Sequence, residues 1–293
     1  MFQGIRELRV SRGKTALIIT TVLLITAMVT LLSSLSAGLS YQSASALEHK
    51  VGSDRQLVLN DAGGTVSLST GSLTDAQVRE VESRGGEVVT MARSKDAEGQ
   101  GFIAMSYEGT KPSEELYLEH QPVHWMSTSE VEKLPGSSTF GVVSGDAQPI
   151  DGTVMMKGKD ALEASASYKG EQSSLSLMIA LLYVISALVL GAFFTVWTMQ
   201  RLRGVAITVA LGGTRSSILS DAIGQALVVL LVGIAAGTLL TVGVGRFMDD
   251  IPMDVTANTT LVPAAILLAA GLLGAGLSII PVMKVDPRKA MNS

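Results

Sequence analysis

Long uncharged stretches divide this chain into apolar and polar segments. Four apolar segments each reach the length of about 20 residues that a helix needs to cross a bilayer, and they lie at positions 15–40, 173–199, 219–245 and 260–283. The first two contain no charged side chain. The pattern therefore predicts four transmembrane helices, with the largest polar segment, 41–172, inserted between the first and the second.

Segment 41–172 has the mixed pattern of an α/β domain. Short alternating or β-branched runs predict strands at 56–60, 65–69, 87–92, 101–107, 139–144 and 153–157. Thr74 and Gln77 form a capping box that predicts a helix over 73–84. Ser127 and Glu130 predict a second, short helix that ends before Pro135. The pattern leaves the pairing order of the strands open.

The distribution of charge predicts which segments stay in the cytoplasm. Segments 1–14, 200–218 and 284–293 together carry ten basic side chains, whereas segment 41–172 carries twenty acidic and eleven basic ones, and loop 246–259 carries three acidic and one basic. Because short loops rich in lysine and arginine remain cytoplasmic, we expect both termini and loop 200–218 inside. Segments 41–172 and 246–259 are then extracellular.

Composition narrows the classes of function. Only 16% of the residues are charged, against about a quarter in soluble proteins. The net charge of −4 provides no basic excess for binding nucleic acid. Cysteine is absent, which excludes disulfides, thiolate zinc sites and cysteine nucleophiles. Ala44-Ser45-Ala46 resembles a cleavage site, but the apolar run before it exceeds the ~7–15 residues of a signal peptide, so we expect an uncleaved anchor.

Loop 200–218 contains an apolar run, 205–211, between charged residues, followed by Gly212-Gly213. A short apolar helix at the cytoplasmic surface must be buried either in the bilayer interface or in a groove on a partner protein. The loop therefore predicts a contact with one of these two.

This loop and its surroundings resemble the FtsX-like (MacB-type, type VII) permeases of ABC transporters. The resemblance rests on the turn Ala210-Leu211-Gly212-Gly213-Thr214-Arg215, on the glycines of the next apolar segment, on Val285-Asp286-Pro287 and on the order of the four spans. It implies a multi-pass subunit of the bacterial cell membrane whose segment 200–218 is a coupling helix. The implied contact residues are Arg203, Val205, Ile207, Val209, Leu211, Gly212 and Gly213.

The resemblance also implies where the energy comes from. The chain has no G-x-x-x-x-G-K-[ST] motif, so ATP and Mg²⁺ would be bound by two copies of a separate ABC ATPase, joined to a homodimer of this chain. The chain itself would be no enzyme, would hold no intrinsic cofactor, and would begin with an amphipathic cytoplasmic helix over 1–14. Val205-Ala206 and Gln225 stand near places where the family often has acidic residues, which predicts a contact that differs in detail.

Within this family, Glu7-Leu8-Arg9, positions 33–39 and Ser45-Ala46-Leu47 resemble the haem-exporter permeases called HrtB. That resemblance implies haem as the transported ligand. Haem iron accepts His, Met, Tyr or a hard carboxylate. The candidate ligands are Glu48, Met28, His49, Tyr41, Met178 and Tyr183, with Glu48 first because it is the first charge after a long apolar run. The alternative is that they are solvated boundary residues or packing residues.

Other interpretations stay open at this point. His120 and His124 have the i, i+4 spacing of a helical metal pair, but Pro122 lies between them, so we expect structural roles. Gly233 and Gly237 form a G-x-x-x-G spacing that favours close helix packing, expected within the bundle. Export of a glycolipid, lipoprotein or peptide, or signalling to a cell-wall hydrolase, would use the same architecture as haem export by mechanotransmission.

Overall fold

The computed structural model of the chain describes residues 12–61, 63, 66–68, 71–200, 215–247 and 251–283. The chain divides into a helical unit, Met1–Leu35 with Leu175–Ser293, and a sheet unit, Ser36–Ser174. The described helices are α1 (Arg12–Val51), α2 (Asp75–Ser83), α3 (Thr128–Val131), α4 (Lys159–Leu162), α5 (Ala166–Gln200), α6 (Arg215–Phe247) and α7 (Ala257–Met283). The described strands are β1 (Arg55–Asn60), β2 (Glu87–Lys95), β3 (Gly101–Ser106), β4 (Tyr117–Leu118), β5 (Gln121–Met126), β6 (Ser138–Ser144) and β7 (Thr153–Lys157).

Helices α1, α5, α6 and α7 are long and apolar enough to cross a membrane. They coincide with the four apolar segments of the sequence, which confirms that prediction at the level of helices. All four extend beyond the apolar segments, and α1 and α5 do so by the most residues. Helix α1 continues to Val51 and α5 already begins at Ala166, so the positions of the bilayer boundaries, like the segment limits given above, stay predictions.

The sheet unit contains a seven-stranded sheet in the order β4-β5-β3-β2-β6-β1-β7. Neighbouring strands are antiparallel except β3 and β5, which are parallel. Because successive side chains of a strand point to opposite faces, Leu57 and Leu59 lie in one apolar core and Val58 in another. The first core also receives Ala46 and Leu47 from α1, so the end of α1 is part of the sheet unit.

Cap chemistry correctly predicts the two helices of the sheet unit that the sequence marks. The backbone N–H of Thr74 donates to Gln77 Oε1 at 2.9 Å, and the Gln77 N–H donates to Thr74 Oγ1 at 3.4 Å. Ser127 donates from its backbone N–H to Glu130 Oε2 at 2.9 Å. The bonds that Ser127 makes also hold the pKa of the Glu130 carboxyl below its ordinary value. The helix predicted over 73–84 is observed as α2 and the second one as α3.

The predicted strand at 65–69 is wrong over residues 66–68, which form no strand. The backbone of Leu68 pairs elsewhere, since its N–H donates to the Ala164 carbonyl at 3.1 Å and its carbonyl accepts from Ser138 Oγ at 3.3 Å. The other five predicted strands are confirmed, with end points that shift by up to three residues. Strands β4 and β5 are not among the predictions.

Close packing within the helical unit depends on glycine. A Cβ added at Gly237 would lie 2.6 Å from the Leu23 carbonyl oxygen, and one added at Gly233 would lie 2.6 Å from Val22 Cβ. One turn beyond Gly237, Thr241 Oγ1 lies 2.6 Å from Thr30 Oγ1 in a buried hydrogen bond. The G-x-x-x-G spacing therefore packs α6 against α1 of the same chain, as expected for a bundle in lipid.

Candidate functional site

The proposed coupling segment lies largely outside the described residues. This holds for Arg203, Val205, Ile207, Val209, Leu211, Gly212 and Gly213, as it does for positions 1–11. The structure does describe the residue at which α5 ends before this segment. Lys14 Nζ, near the start of α1, donates to Gln200 Oε1 at 2.7 Å, so the entry to α1 and the exit from α5 are joined directly.

Helix α6, which follows the segment, buries an amide near its start. Gln225 is 5% exposed, and its Nε2 donates to Asp221 Oδ2 at 3.0 Å, one turn earlier on the same helix. A carboxylate and a buried amide are thus paired within the first turns of α6.

The haem candidates of the helical unit differ in their exposure. Met28 and Met178 are 59% and 55% exposed, so both side chains lie on the surface of the helical unit. Tyr183 packs against the apolar core of the unit and is only partly exposed. The two methionines are therefore more accessible than Tyr183.

The remaining haem candidates, Tyr41, Glu48 and His49, belong to the sheet unit and are all exposed. Tyr41 donates its hydroxyl to the Glu115 carbonyl at 2.8 Å, and the His49 ring lies 6.3 Å from the ring of Trp125 between centroids. Glu48 and His49 are neighbours on one helical turn, so their side chains point in different directions. Of the three, Glu48 presents an exposed carboxylate near the end of α1.

The structure does not pair His120 with His124 as metal ligands. His124 stacks on Phe102 at 4.4 Å between ring centroids, while His120 lies in the turn between β4 and β5. Among the described residues, no group of three or more His, Asp or Glu side chains could hold a metal ion. Structural roles for both histidines stay a prediction.

A polar cluster that the sequence does not reveal joins Ser43 on α1, His120 in the β4–β5 turn and Glu171 on α5. His120 Nε2 lies 2.5 Å from Glu171 Oε1, and Ser43 Oγ donates to Glu171 Oε2 at 2.8 Å. Ser43 Oγ also lies 3.2 Å from His120 Nε2. No local sequence pattern predicts this cluster, because its members are 51 to 128 positions apart in the chain.

The Ser43–His120–Glu171 cluster has the residue types of a hydrolytic triad but not its geometry. In such a triad the carboxylate holds Nδ1 and the serine donates to Nε2. Here both the serine hydroxyl and Nε2 are directed to the same carboxylate, and Nδ1 lies 3.4 Å from Gln42 Oε1. The cluster is therefore arranged to hold segments together and not to activate a nucleophile.

A second buried group stabilises the same unit. Lys50, whose side chain is 7% exposed, forms an ion pair with Glu87, whose side chain is 15% exposed. Its Nζ lies 5.3 Å from the centroid of the Trp125 ring, within the range of a cation–π contact. Arg55 Nη1 adds a longer contact to Glu87 at 3.6 Å. These charges tie α1 to β1, β2 and β5.

Comparison with known proteins identifies the proteins that parts of this chain resemble. Residues 176–287 match the family model described as FtsX-like permease C-terminal. The putative hemin transport system permease protein HrtB of Staphylococcus epidermidis is 28% identical over 181 residues, which cover 59% of this chain and 52% of that protein. The HrtB protein of Staphylococcus haemolyticus is 34% identical over 144 residues, 49% of this chain and 41% of that protein.

A more distant relative is an uncharacterized ABC transporter permease of Mycobacterium tuberculosis, 26% identical over 178 residues, which cover 58% of this chain and 50% of that protein. The chain thus matches about half the length of these curated relatives or less. The matched region 176–287 contains α5 from residue 176 to its end and the whole of α6 and α7. The similarity to FtsX-like permeases thus extends over the second, third and fourth apolar helices of the chain.

Proposed function

We propose that this chain is the membrane subunit of a bacterial ABC exporter and that haem is its cargo. The observation that carries the proposal is the FtsX-like match over three of the four apolar helices. In the proposed topology both termini and loop 200–218 are cytoplasmic and the sheet unit is extracellular. The asymmetry of basic residues supports this orientation.

ATP would be hydrolysed by two ABC ATPase subunits bound to a homodimer of this chain. Segment 205–213 would sit in a groove of the ATPase, and the contact between Lys14 and Gln200 supports a joint response of α1 and α5 to movement of that segment. Energy would then pass through the helices by mechanotransmission, without a continuous aqueous pore.

Haem is favoured as cargo for two reasons. Two of the relatives described above carry hemin transport in their names, and this chain offers exposed ligands of the right kinds, with Glu48 first and Met28 second. Haem is itself amphipathic, so it would enter sideways from the outer leaflet near α1 and α5. His49, Tyr41, Met178 and Tyr183 are weaker candidates.

The decisive experiment is to copurify the chain with the product of its neighbouring gene and to measure ATP hydrolysis with and without hemin. We expect hemin to stimulate hydrolysis and to shift its Soret absorbance on binding. Glu48→Ala and Met28→Ala are expected to weaken both responses, while Glu98→Ala, at an exposed position between β2 and β3, serves as the control.

Three results would each contradict part of this proposal. If hemin binds and stimulates equally in the wild type, Glu48→Ala and Met28→Ala, these residues are not its site. If hemin has no effect but a glycolipid, lipoprotein or peptide stimulates hydrolysis, the architecture is retained with another cargo. A stable extracellular protein partner without any ligand stimulation would instead favour signalling to a cell-wall hydrolase.

The proposed orientation gives a second prediction, which the absence of cysteine makes simple to test. A single cysteine introduced by Glu98→Cys should react with a membrane-impermeant maleimide in intact cells. Ser293→Cys should react only after the cells are opened. The reverse pattern would overturn the topology and, with it, the assignment of segment 205–213 to an ATPase contact.

A further inference from the structure

The turn between β4 and β5 has an unusual backbone for its residues. Glu119 and His120 both adopt positive φ values, 51° and 62°, and Leu118 pairs with Gln121, so the turn is two residues long. Hairpins of this kind favour Asn-Gly, because residues with a Cβ are strained in the left-handed region. Two neighbouring strained residues persist only where surrounding contacts hold them.

Those contacts all come from α1, α5 and β2. The backbone N–H of Glu119 donates to the Ser43 carbonyl at 3.1 Å, and that of His120 to the Gln42 carbonyl at 2.9 Å. The Glu119 carboxylate pairs with Arg93 on β2, and His120 Nε2 lies 2.5 Å from Glu171 Oε1 on α5. Every donor and charged group of the turn is therefore occupied.

Further hydrogen bonds join α1 to α5 and to the residue that precedes it. The buried hydroxyl of Ser165 donates to the Ser43 carbonyl at 3.0 Å, and Gln172 Nε2 donates to the Ser36 carbonyl at 3.1 Å. Side chains thus link α1 to α5 and to Ser165, the residue directly before α5. The pair of His120 and Glu171 is polar and about one-third exposed, so solvent can replace it at low cost compared with separating an apolar core.

We propose that the Glu119-His120 turn is a latch that holds α1 and α5 together in the sheet unit and that opens during the transport cycle. The proposal rests on the function proposed above and adds a named element to it. Both helices lead from the apolar segments into the sheet unit, and release of His120 from Glu171 relieves the left-handed turn. His120 and Glu171 are positioning residues, which act through the helices and not on the cargo.

Hydrogen exchange of the full chain in micelles tests the latch directly, because the amides of Glu119 and His120 form the hydrogen bonds that the latch makes to α1. We expect Glu171→Ala, which leaves the turn residues intact, and His120→Asn, which tolerates the backbone but is too short to reach Glu171, to raise the exchange rate of residues 117–121 about tenfold. The matched control is His124→Asn, in the same hairpin. Equal protection in Glu171→Ala and wild type would refute the latch.

A second measurement tests opening in the complex with the ABC ATPase. Residues 117–121 should exchange differently in the nucleotide-free and vanadate-trapped states, and Glu171→Ala should reduce that difference while basal hydrolysis continues.

Identical protection in both states, with hemin stimulation intact, would overturn the proposal. If protection changes with nucleotide but hemin has no effect, the cargo is wrong and the latch stands. If no ABC ATPase binds, the proposed function fails and the coupling of the latch to transport fails with it.

Discussion

Lys50→Met is expected to destabilise the sheet unit by about 3 kcal/mol, because it leaves the mostly buried Glu87 carboxylate, 15% exposed, without its nearest cation. The value lies at the lower end of the range for broken buried pairs because Arg55 Nη1 remains 3.6 Å from Glu87. Methionine keeps most of the volume of lysine, so the loss reports charge and not a cavity. Loss of the contact between Lys50 and the Trp125 ring acts in the same direction.

The chain contains two tryptophans, Trp125 in β5 and Trp197 in α5. In a Trp197→Phe background, the unfolding midpoint of Trp125 fluorescence therefore reports the sheet unit within the full chain. The matched control is Lys157→Met, because Lys157 pairs with Asp146 in solvent, where we expect little change. Lys50→Met with Glu87→Met should recover most of the loss, since removing both charges leaves neither unpaired. A midpoint for Lys50→Met equal to that of Lys157→Met would contradict the buried ion pair.

The sequence predicts the helical part of this fold well because its signals are local. Uncharged runs such as 15–40 mark a bilayer helix without reference to any other part of the chain. The cap of Thr74 and Gln77 likewise identifies a helix from residues three apart. Where the information lies within one turn or one span, the pattern and the structure agree.

The errors arise where distant segments decide the outcome. Leu68 reads as part of a strand but its backbone bonds the Ala164 carbonyl, a residue 96 positions away. Strand β5 contains Pro122 as its second residue, which lowers its strand signal, although proline is tolerated at the start of a strand. The parallel pairing of β5 with β3 has no local signature at all.

The candidate site divides in the same way. Segment 205–213 is recognisable because an apolar run between charges is a local pattern, and whether it contacts an ATPase stays a prediction. By contrast, Glu119-His120 lacks the glycine or asparagine that marks a two-residue turn, so nothing in the sequence predicts their left-handed backbone. The sequence draws attention to His120 only as half of a metal pair, whereas the structure places it against Ser43 and Glu171.

Helix α1 takes part in most of these features, and its sequence shows why it can. The hydroxyls of Thr26, Thr30 and Ser34, spaced four apart, are fully buried within the helical unit. Further along, Ala46 and Leu47 belong to the core of the sheet unit. One helix thus packs closely in both units, through small residues in the first and apolar residues in the second. Because the packing in the helical unit is close, we expect the contact of α1 with α6 to be sensitive to added volume.

Gly237→Leu is expected to prevent α6 from packing against α1 and to leave little folded protein after mild heating in micelles. Even the single Cβ of Gly237→Ala would lie 2.6 Å from the Leu23 carbonyl oxygen and 2.7 Å from Thr26 Cβ, and neither neighbour is the free end of a flexible side chain. Overpacking of this kind costs about 1–3 kcal/mol for a small group. The shift would also lengthen the Thr30–Thr241 hydrogen bond one turn away.

Gly243→Ala is the control, because it lies on the same helix and an added Cβ there meets no atom within 4 Å. Alanine is favoured over glycine inside a helix by up to about 1 kcal/mol, so this variant should match or exceed the wild type. The monodisperse fraction that survives heating, read by size-exclusion chromatography, should therefore rank Gly243→Ala first, Gly237→Ala lower and Gly237→Leu last. Equal survival of Gly237→Ala and Gly243→Ala would contradict this prediction. It would mean that α1 and α6 are not in backbone contact at Gly237 and that their close packing is not what stabilises the helical unit.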